Sequence, residues 1–396
     1  MKIVLTGGGT GGHFYPLIAI AEQLRLRSMQ EYIPKLDIYY FSDSAYDELA
    51  LKTERIEYIH IFSDKIGISF SALRKMKSLI TMFFGCLQAT WKLFLLYPDV
   101  VVSKGGYASI PTSCAAILLG IPLFVHESDA APGRSTLKLS KHATQIFVSY
   151  ESALSYFPTE KTIYSGQPVR SSLLHPTSEG AYATFALEPA LPILWIMGGS
   201  SGAQIINELV LRMLPDLLYH YQIIHQTGSN NYDAVLLESN SILAEHPYKS
   251  RYHPVAFLNE LSIRRVASVA NLVLTRAGST LFEIASWGIP AIVIPFSVSN
   301  ADHSRKNAFS YASYGACTVI EESNLSPEVL FTEIEHIVHD EHIVAQMKQG
   351  ASKFTTPDAA RVIAEYVLQI CLQHESPPTK PEIPISYIIE EQMGKK

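Results

Sequence analysis

Along most of the chain, short apolar runs rich in β-branched residues alternate with longer stretches of helical period. Lys2–Thr6, Ile38–Phe41, Val100–Ser103, Leu123–His126, Ile193–Met197, Leu272–Thr275 and Ala291–Pro295 read as strands. Continuously apolar strands between helices predict an α/β fold whose parallel sheets are covered on both faces. The pattern also recurs. Asp99–Gly106 leads through a helical stretch to Gly120–Val125, and Asn271–Gly278 leads likewise to Gly288–Val293. Ile3–Thr6 before a glycine cluster is echoed by Leu194–Met197 before Gly198 and Gly199. Any α/β protein repeats strand, glycine and helix, but two echoes in the same order favour two Rossmann-like halves. They are expected over residues 1–166 and 167–357, joined near Gly166–Arg170 and facing each other across a cleft. The helical segment 358–372 either closes the second half or returns to the first. The segment 373–396, with Pro377, Pro378, Pro381 and Pro384, reads as a flexible tail.

Composition narrows the class. The 396 residues are 47% apolar and 17% charged, enough to build two cores and without a signature of disorder. A net charge of −6 argues against nucleic acid as the partner. Cys86, Cys114, Cys317 and Cys371 are scattered, so neither a disulfide framework nor a zinc knuckle is expected, and no metal site is proposed. The first strand begins at Lys2, which reads as a mature cytosolic N-terminus. The most apolar stretch, Leu79–Tyr97, is broken by Gln88, Thr90 and Lys92 and is not expected to cross a bilayer.

Three junctions carry candidate chemistry. Gly7–Gly12 follows a strand and opens a helix, where free amides and the positive end of the helix dipole suit an anion. The loop also satisfies G-x-G-x-x-G, a weak signal for a dinucleotide. His13 follows directly. An imidazole there either serves proton transfer or merely caps the helix, and the residues alone leave both open. Gly198–Ala203 repeats the design in the second half, with Ser200 added as a donor to a diphosphate. At the third junction, Thr275–Glu283, Ser279 and Thr280 are cap candidates and Glu283 suits ribose hydroxyls.

These residues resemble a known family. Gly8–His13, Gly105-Gly106-Tyr107 with Ser109 and Pro111, His126-Glu127, Pro168–Arg170, Gly198–Ala203, Arg276–Gly278 with Glu283, and Asp302-His303 with Asn307-Ala308 are similar, in order and spacing, to motifs of the MurG-type transferases. The likeness runs from Lys2 to about Leu372. It implies a GT-B fold, UDP-GlcNAc as donor, a lipid-linked muramoyl-pentapeptide as acceptor, inversion at the anomeric carbon and no cofactor. By position it implies His13 as the base. Thr10, Gly11, Gly12, Asp129, Arg170, Ser200, Leu258, Gly278, Ser279, Thr280, Glu283, His303 and Ser304 fall on the donor side. Tyr107, His126, Glu127 and Asn207 fall on the acceptor side.

The chain departs from the family pattern at Asp129 (usually Asn), Gln167 (usually Asn) and Ser304 (usually Gln), and its Gly278–Glu283 loop is one residue short. Asp129 adds a negative charge beside an anionic ligand, which costs unless it is paired or protonated. Arg74, Lys75 and Lys77 precede Leu79–Phe84 and Trp91, a pattern that suits an anionic membrane surface; the alternative is an ordinary helix packed on the sheet. The expected setting is the cytoplasmic face of the inner membrane, with room for a cell-wall synthesis complex. The rival readings are a transferase for another lipid acceptor, a UDP-GlcNAc epimerase and a silent nucleotide-sugar-binding scaffold.

Overall fold

A computed structural model describes residues 1–33, 35–65, 71–198, 203–297 and 302–375. Strands β1 (Lys2–Thr6), β2 (Asp37–Ser42), β3 (Glu57–His60), β4 (Val100–Ser103), β5 (Leu123–Glu127), β6 (Gln145–Val148) and β7 (Thr162–Tyr164) form one sheet in the order β3-β2-β1-β4-β5-β6-β7. Strands β8 (Ile193–Met197), β9 (Gln222–Gln226), β10 (Tyr252–Val255), β11 (Leu272–Thr275), β12 (Ala291–Val293) and β13 (Cys317–Val319) form a second, ordered β10-β9-β8-β11-β12-β13. All pairings are parallel. The central strands β4, β8 and β11 are buried along their whole length, which is why they read as unbroken apolar runs. In each sheet the order reverses beside the first strand, at β1/β4 and at β8/β11. Loops leaving these strands diverge and open a crevice beyond their carboxyl ends. The Gly7–Gly12 and Gly105-Gly106 loops lie there.

The last described helix, Ala359–Glu375, returns to the first lobe. Its Ile363, Ala364, Val367, Leu368 and Cys371 are buried in one core with Ile3, Leu5, Phe14 and Phe124. Tyr366 meets Phe147 edge-on at 5.7 Å between ring centres, and Arg27 pairs with Glu365. The helix runs three residues past the boundary expected at Leu372; the rest of the tail lies outside the described residues.

The lobes also meet directly. Tyr150 packs on Phe282 and Phe354 at 5.0 and 5.6 Å. Asn307 accepts the Ala130 N–H at 2.8 Å and donates to Asp129 Oδ1 at 2.9 Å, while His303 Nδ1 donates to the Ala131 carbonyl at 2.7 Å. At the crossing between lobes, Gly166 has φ +82° and a Cβ there would overlap Thr356 Oγ1. No other residue fits that seam without displacing it.

Helix Ala72–Leu96 lies along helix Ile110–Leu119 through a buried stripe of Ser78, Met82, Gly85, Ala89 and Leu93. A Cβ on Gly85 would overlap the Phe62 carbonyl oxygen, so glycine permits this close approach. The opposite face exposes Leu79, Ile80, Phe83, Phe84, Leu87, Trp91, Phe94 and Leu95. The exposure therefore runs to the end of the helix, so it is not an ordinary helix buried on the sheet. Among the described residues, this helix is long and apolar enough to cross a membrane by length and composition. Cys86 and Cys114, far apart in sequence, are neighbours across this helix pair, where each thiol shifts the other, Cys86 upward and Cys114 downward.

Candidate functional site

The crevice between the lobes holds a cavity of about 120 Å³ lined by Gly11, Gly12 and Tyr15 of the first lobe, by Gln167–Arg170 of the crossing, and by Gln226, Ser279, Thr280 and Glu283 of the second. It adjoins a groove of about 1030 Å³ through the shared residues Tyr15, Arg170, Phe257 and Ile263; Leu258 lines this groove. Ligand pockets for molecules of this kind run to roughly 300–1,000 Å³. The two spaces together reach that size, and the cavity by itself is a closed cleft. The closure is visible at Gly12, where a Cβ would come 2.9 Å from Ser279 Oγ across the gap.

The first glycine loop ends in helix Gly11–Gln30. Thr10 occupies the cap position but its hydroxyl makes no cap bond; it meets His13 Nδ1 at 3.0 Å. Among the described residues the imidazole neither caps the helix nor bonds a carbonyl. It lies against the second loop, since a Cβ on Gly106 would be 3.6 Å from its Nδ1 and Cε1. With Nδ1 engaged by Thr10, Nε2 is the nitrogen left for proton transfer. Burial, then the positive charge of Lys104, pushes the His13 pKa down to about 4, against a smaller upward pull from Asp129. The ring is therefore neutral at pH near 7. Tyr107 follows the second loop, and its hydroxyl donates to Asp43 Oδ2 at 2.9 Å.

In the second lobe, helix Thr280–Trp287 begins at Ser279 without a side-chain cap, so the Ser279 and Thr280 hydroxyls face the cavity and do not close the helix end. Gly278 is exposed, with nothing within 4 Å of a built Cβ. Glu283 sits one turn inside. Burial raises its carboxyl to about 7, against the downward pull of Arg170. Arg170 stacks 4.1 Å over the Tyr15 ring and donates to Glu260 at 2.9 Å. Ser304 accepts the Phe296 N–H at 3.2 Å and His303 is held by Ala131, so both pin loops that flank the crevice. Ser200 lies outside the described residues.

Three residues expected on the acceptor side are placed elsewhere. His126 is fully buried, its Nε2–H donating to the Gly166 carbonyl at 3.0 Å and its Nδ1 accepting from Lys104 at 2.6 Å. Glu127 is buried and accepts the Asp129 and Gly133 N–H groups, each at 3.0 Å, which shapes the loop meeting Asn307. Asn207 is enclosed in the second lobe, donating to the Thr227 carbonyl and bonded to His225 Nε2. Each of these buried polar groups finds hydrogen-bond partners inside the protein. Tyr107 keeps its place beside the crevice.

The residue that sequence reasoning passed over is Lys104. It is 1% exposed, and its ammonium donates to His126 Nδ1, Ser128 Oγ and Gln167 Oε1. Three acceptors consume all three donors of a charged ammonium. Burial lowers its pKa while the charges of Glu127 and Asp129 raise it. Its signal in the sequence was a lysine between a buried strand and a glycine turn, where a charge needs a built partner.

The two parallel sheets and the interlobe crevice define a GT-B fold. Residues 3–148 match the glycosyltransferase family 28 N-terminal domain and 193–363 its C-terminal domain. The chain is 30% identical over 375 residues to the UDP-N-acetylglucosamine–N-acetylmuramyl-(pentapeptide) pyrophosphoryl-undecaprenol N-acetylglucosamine transferase of Listeria monocytogenes serotype 4b, covering 93% of this chain and 99% of that one. It is 30% identical to the enzyme of the same name from Bacillus subtilis, covering 91% and 97%. The crystal structure of Acinetobacter baumannii MurG superposes with a TM-score of 0.68 at 24% identity, covering 93% of this chain and 99% of that one. A UDP-N-acetylglucosamine 2-epimerase of Listeria monocytogenes reaches the same score at 13% identity, covering 95% and 98%, a likeness of fold alone. The chain belongs to glycosyltransferase family 28, among its MurG-type members.

Proposed function

We infer that the chain transfers N-acetylglucosamine from UDP-GlcNAc to the 4-hydroxyl of the MurNAc unit of undecaprenyl-diphospho-muramoylpentapeptide, with inversion, in peptidoglycan synthesis. The observation that carries this reading is the position of His13. A neutral imidazole stands between a glycine loop bordering the interlobe cavity and the Gly105-Gly106-Tyr107 loop of the first lobe.

In this reading the donor lies in the crevice with its ribose on Glu283, and its diphosphate near Gly11, Gly12, Arg170 and Ser200. Leu258 borders the base. Ser279, Thr280, His303 and Asp129 frame the sugar side. The acceptor enters over Tyr107, and its hydroxyl attacks the anomeric carbon from the face opposite UDP. The C–O bond to UDP breaks as the new one forms, and the hydroxyl proton passes to Nε2 of His13. A base whose conjugate acid has a pKa near 4 is weak for this task. The two anionic substrates raise that pKa as they bind, bringing the imidazole toward its working range only when both are present. Amides and hydroxyls fixed toward the leaving diphosphate offset the charge it gains, often by several kcal/mol.

Residues 1–166 form the acceptor-facing lobe in this reading, and residues 167–357 hold the donor. The chain docks peripherally on the cytoplasmic leaflet. The exposed face of helix Ala72–Leu96 supplies apolar and aromatic contact, and Arg74, Lys75, Lys77 and Lys92 attract anionic headgroups, at about 1 kcal/mol each. The deciding experiment incubates the chain with radiolabelled UDP-GlcNAc and a short-chain analogue of the lipid acceptor. A disaccharide lipid is the expected product; free UDP with hydrolysed or epimerised sugar, and no disaccharide, overturns the assignment.

A further inference from the structure

Gln167 lines the interlobe cavity beside Arg170, Gly11 and Gly12, yet its side chain is 2% exposed. Its carbonyl oxygen accepts two donors, Lys104 Nζ at 3.2 Å and Ser149 Oγ at 2.7 Å. An ammonium cannot accept a hydrogen bond, so the amide has one orientation only, with Nε2 at the other end. That Nε2 is buried and has no partner among the described residues. An orphan amide donor in a cavity wall is destabilising, so its retention calls for a reason. The surroundings point to an anion. The cavity takes in the N-terminus of helix Gly11–Gln30 and the guanidinium of Arg170, and the Lys104 ammonium pulling on Oε1 polarises the amide and strengthens its N–H toward a negative acceptor. Two further unpartnered atoms belong to residues of this wall among those described: Arg170 Nε, a donor that adds to the demand for an anion, and Gln226 Oε1, an acceptor that suits a hydroxyl and does not compete for a phosphate.

We propose that Gln167 is a substrate-binding residue whose amide N–H takes a diphosphate oxygen of the nucleotide sugar, and that Lys104 is the positioning residue that fixes the amide for it. The proposal rests on the reading that the crevice binds a nucleotide diphosphate sugar. The cavity is closed around Nε2 in this structure, so contact forms when the cleft opens to admit ligand and closes again on it. Lys104 acts on the diphosphate through Gln167.

The test is titration calorimetry of the full chain with UDP-GlcNAc, UDP and UMP. Gln167→Met, which keeps bulk and removes the donor, is expected to weaken UDP-GlcNAc and UDP alike by about ten-fold or more, and UMP by less. Gln167→Glu keeps the shape and the contact with Lys104 and places a carboxylate toward the phosphates, so its loss is larger; it also remains informative if the methionine variant is unstable. Lys104→Met is expected to match Gln167→Met. The double variant is expected to be no weaker than either single one, the non-additivity of two residues acting as a unit. In steady-state assays the loss falls on KM for UDP-GlcNAc more than on kcat, a split that general loosening of the fold does not produce. Gln167 variants that bind UDP as the parent does overturn the proposal. So does a loss confined to UDP-GlcNAc, which places the contact on the sugar, and so do losses that multiply in the double variant. A parent chain that binds UDP-GlcNAc but yields no disaccharide lipid fails the transferase assignment and leaves this one standing; one that binds no UDP at all overturns both.

Discussion

Glu283 should cost the unliganded protein stability at neutral pH and return it on binding. Its carboxyl is raised from 4.5 to about 7, chiefly because burial penalises the ionised form. A carboxyl whose folded pKa lies above its unfolded one binds more protons in the native state. Its stabilising contribution is complete below pH 4.5 and disappears as pH rises through about 7. The shift corresponds to at most about 3 kcal/mol at full ionisation, and partial exposure of the side chain brings the expected value to about 1–3 kcal/mol. A glutamine at this position has the same shape and no charge to bury. Glu283→Gln should therefore unfold at the same denaturant concentration as the parent near pH ~5 and at a higher one near pH ~8.5.

Binding should show the opposite sign. Ribose hydroxyls donating to the carboxylate favour its charged form and lower the pKa, so UDP-GlcNAc should release a fraction of a proton near neutrality. Calorimetry in buffers of different ionisation enthalpy measures that release, and Glu283→Gln should abolish it while weakening affinity by about ten-fold or more. A stability gap that is equal at both pH values refutes the argument, because the buried charge would then have no part in it.

His13→Ala should reduce kcat by roughly two orders of magnitude or more while leaving the UDP-GlcNAc dissociation constant unchanged; normal turnover would put the base elsewhere. In the parent, the acid limb of kcat/KM should fall near the free-enzyme value of about 4 and that of kcat at higher pH, since bound anions raise the imidazole; coincident limbs would remove that account. Gly12→Ala places a Cβ 2.9 Å from Ser279 Oγ across the crevice, so it should leave the melting temperature within a few degrees of the parent and lower turnover by obstructing closure. Replacing Arg74, Lys75 and Lys77 together with Glu should weaken sedimentation with anionic vesicles, while Phe83→Ser with Phe84→Ser should weaken it even at high salt, where charge is screened. Unchanged vesicle binding in both variants removes this helix from the docking surface.

The sequence made the central strands legible because each is buried along its length. β1, β4, β8 and β11 appear at their observed bounds for that reason. Strands such as β9, in which Gln222 and His225 find partners only in the distant Glu188, Tyr252 and Asn207, have no local period to announce them. The glycine loops could be placed from their position after a strand and before a helix. The roles of individual polar residues could not. His126, Glu127 and Asn207 read as surface chemistry because their types suit it, and only the folded chain shows their hydrogen bonds directed inward. Helix Ala72–Leu96 is the converse, an apolar stretch whose exposed face is decided by where Gly85 lets it approach Phe62.

The departures at Asp129 and Gln167, which taken one at a time put donor specificity in doubt, belong to a single arrangement. A buried ammonium at Lys104 needs acceptors and a compensating charge. Gln167 and His126 accept from it directly, while Glu127 and Asp129 stabilise its charged form. With Asn at position 129 the lysine would face Glu127 alone. Asp129 is also held by Asn307 from the second lobe, so the charge that balances Lys104 is positioned by the contact that joins the lobes. The orientation of the Gln167 amide thus depends on this ammonium, whose charge also adds to burial in keeping His13 neutral. Substitutions there should be judged as a set, with Lys104 and Asp129 changed together, before any is read as a change of substrate.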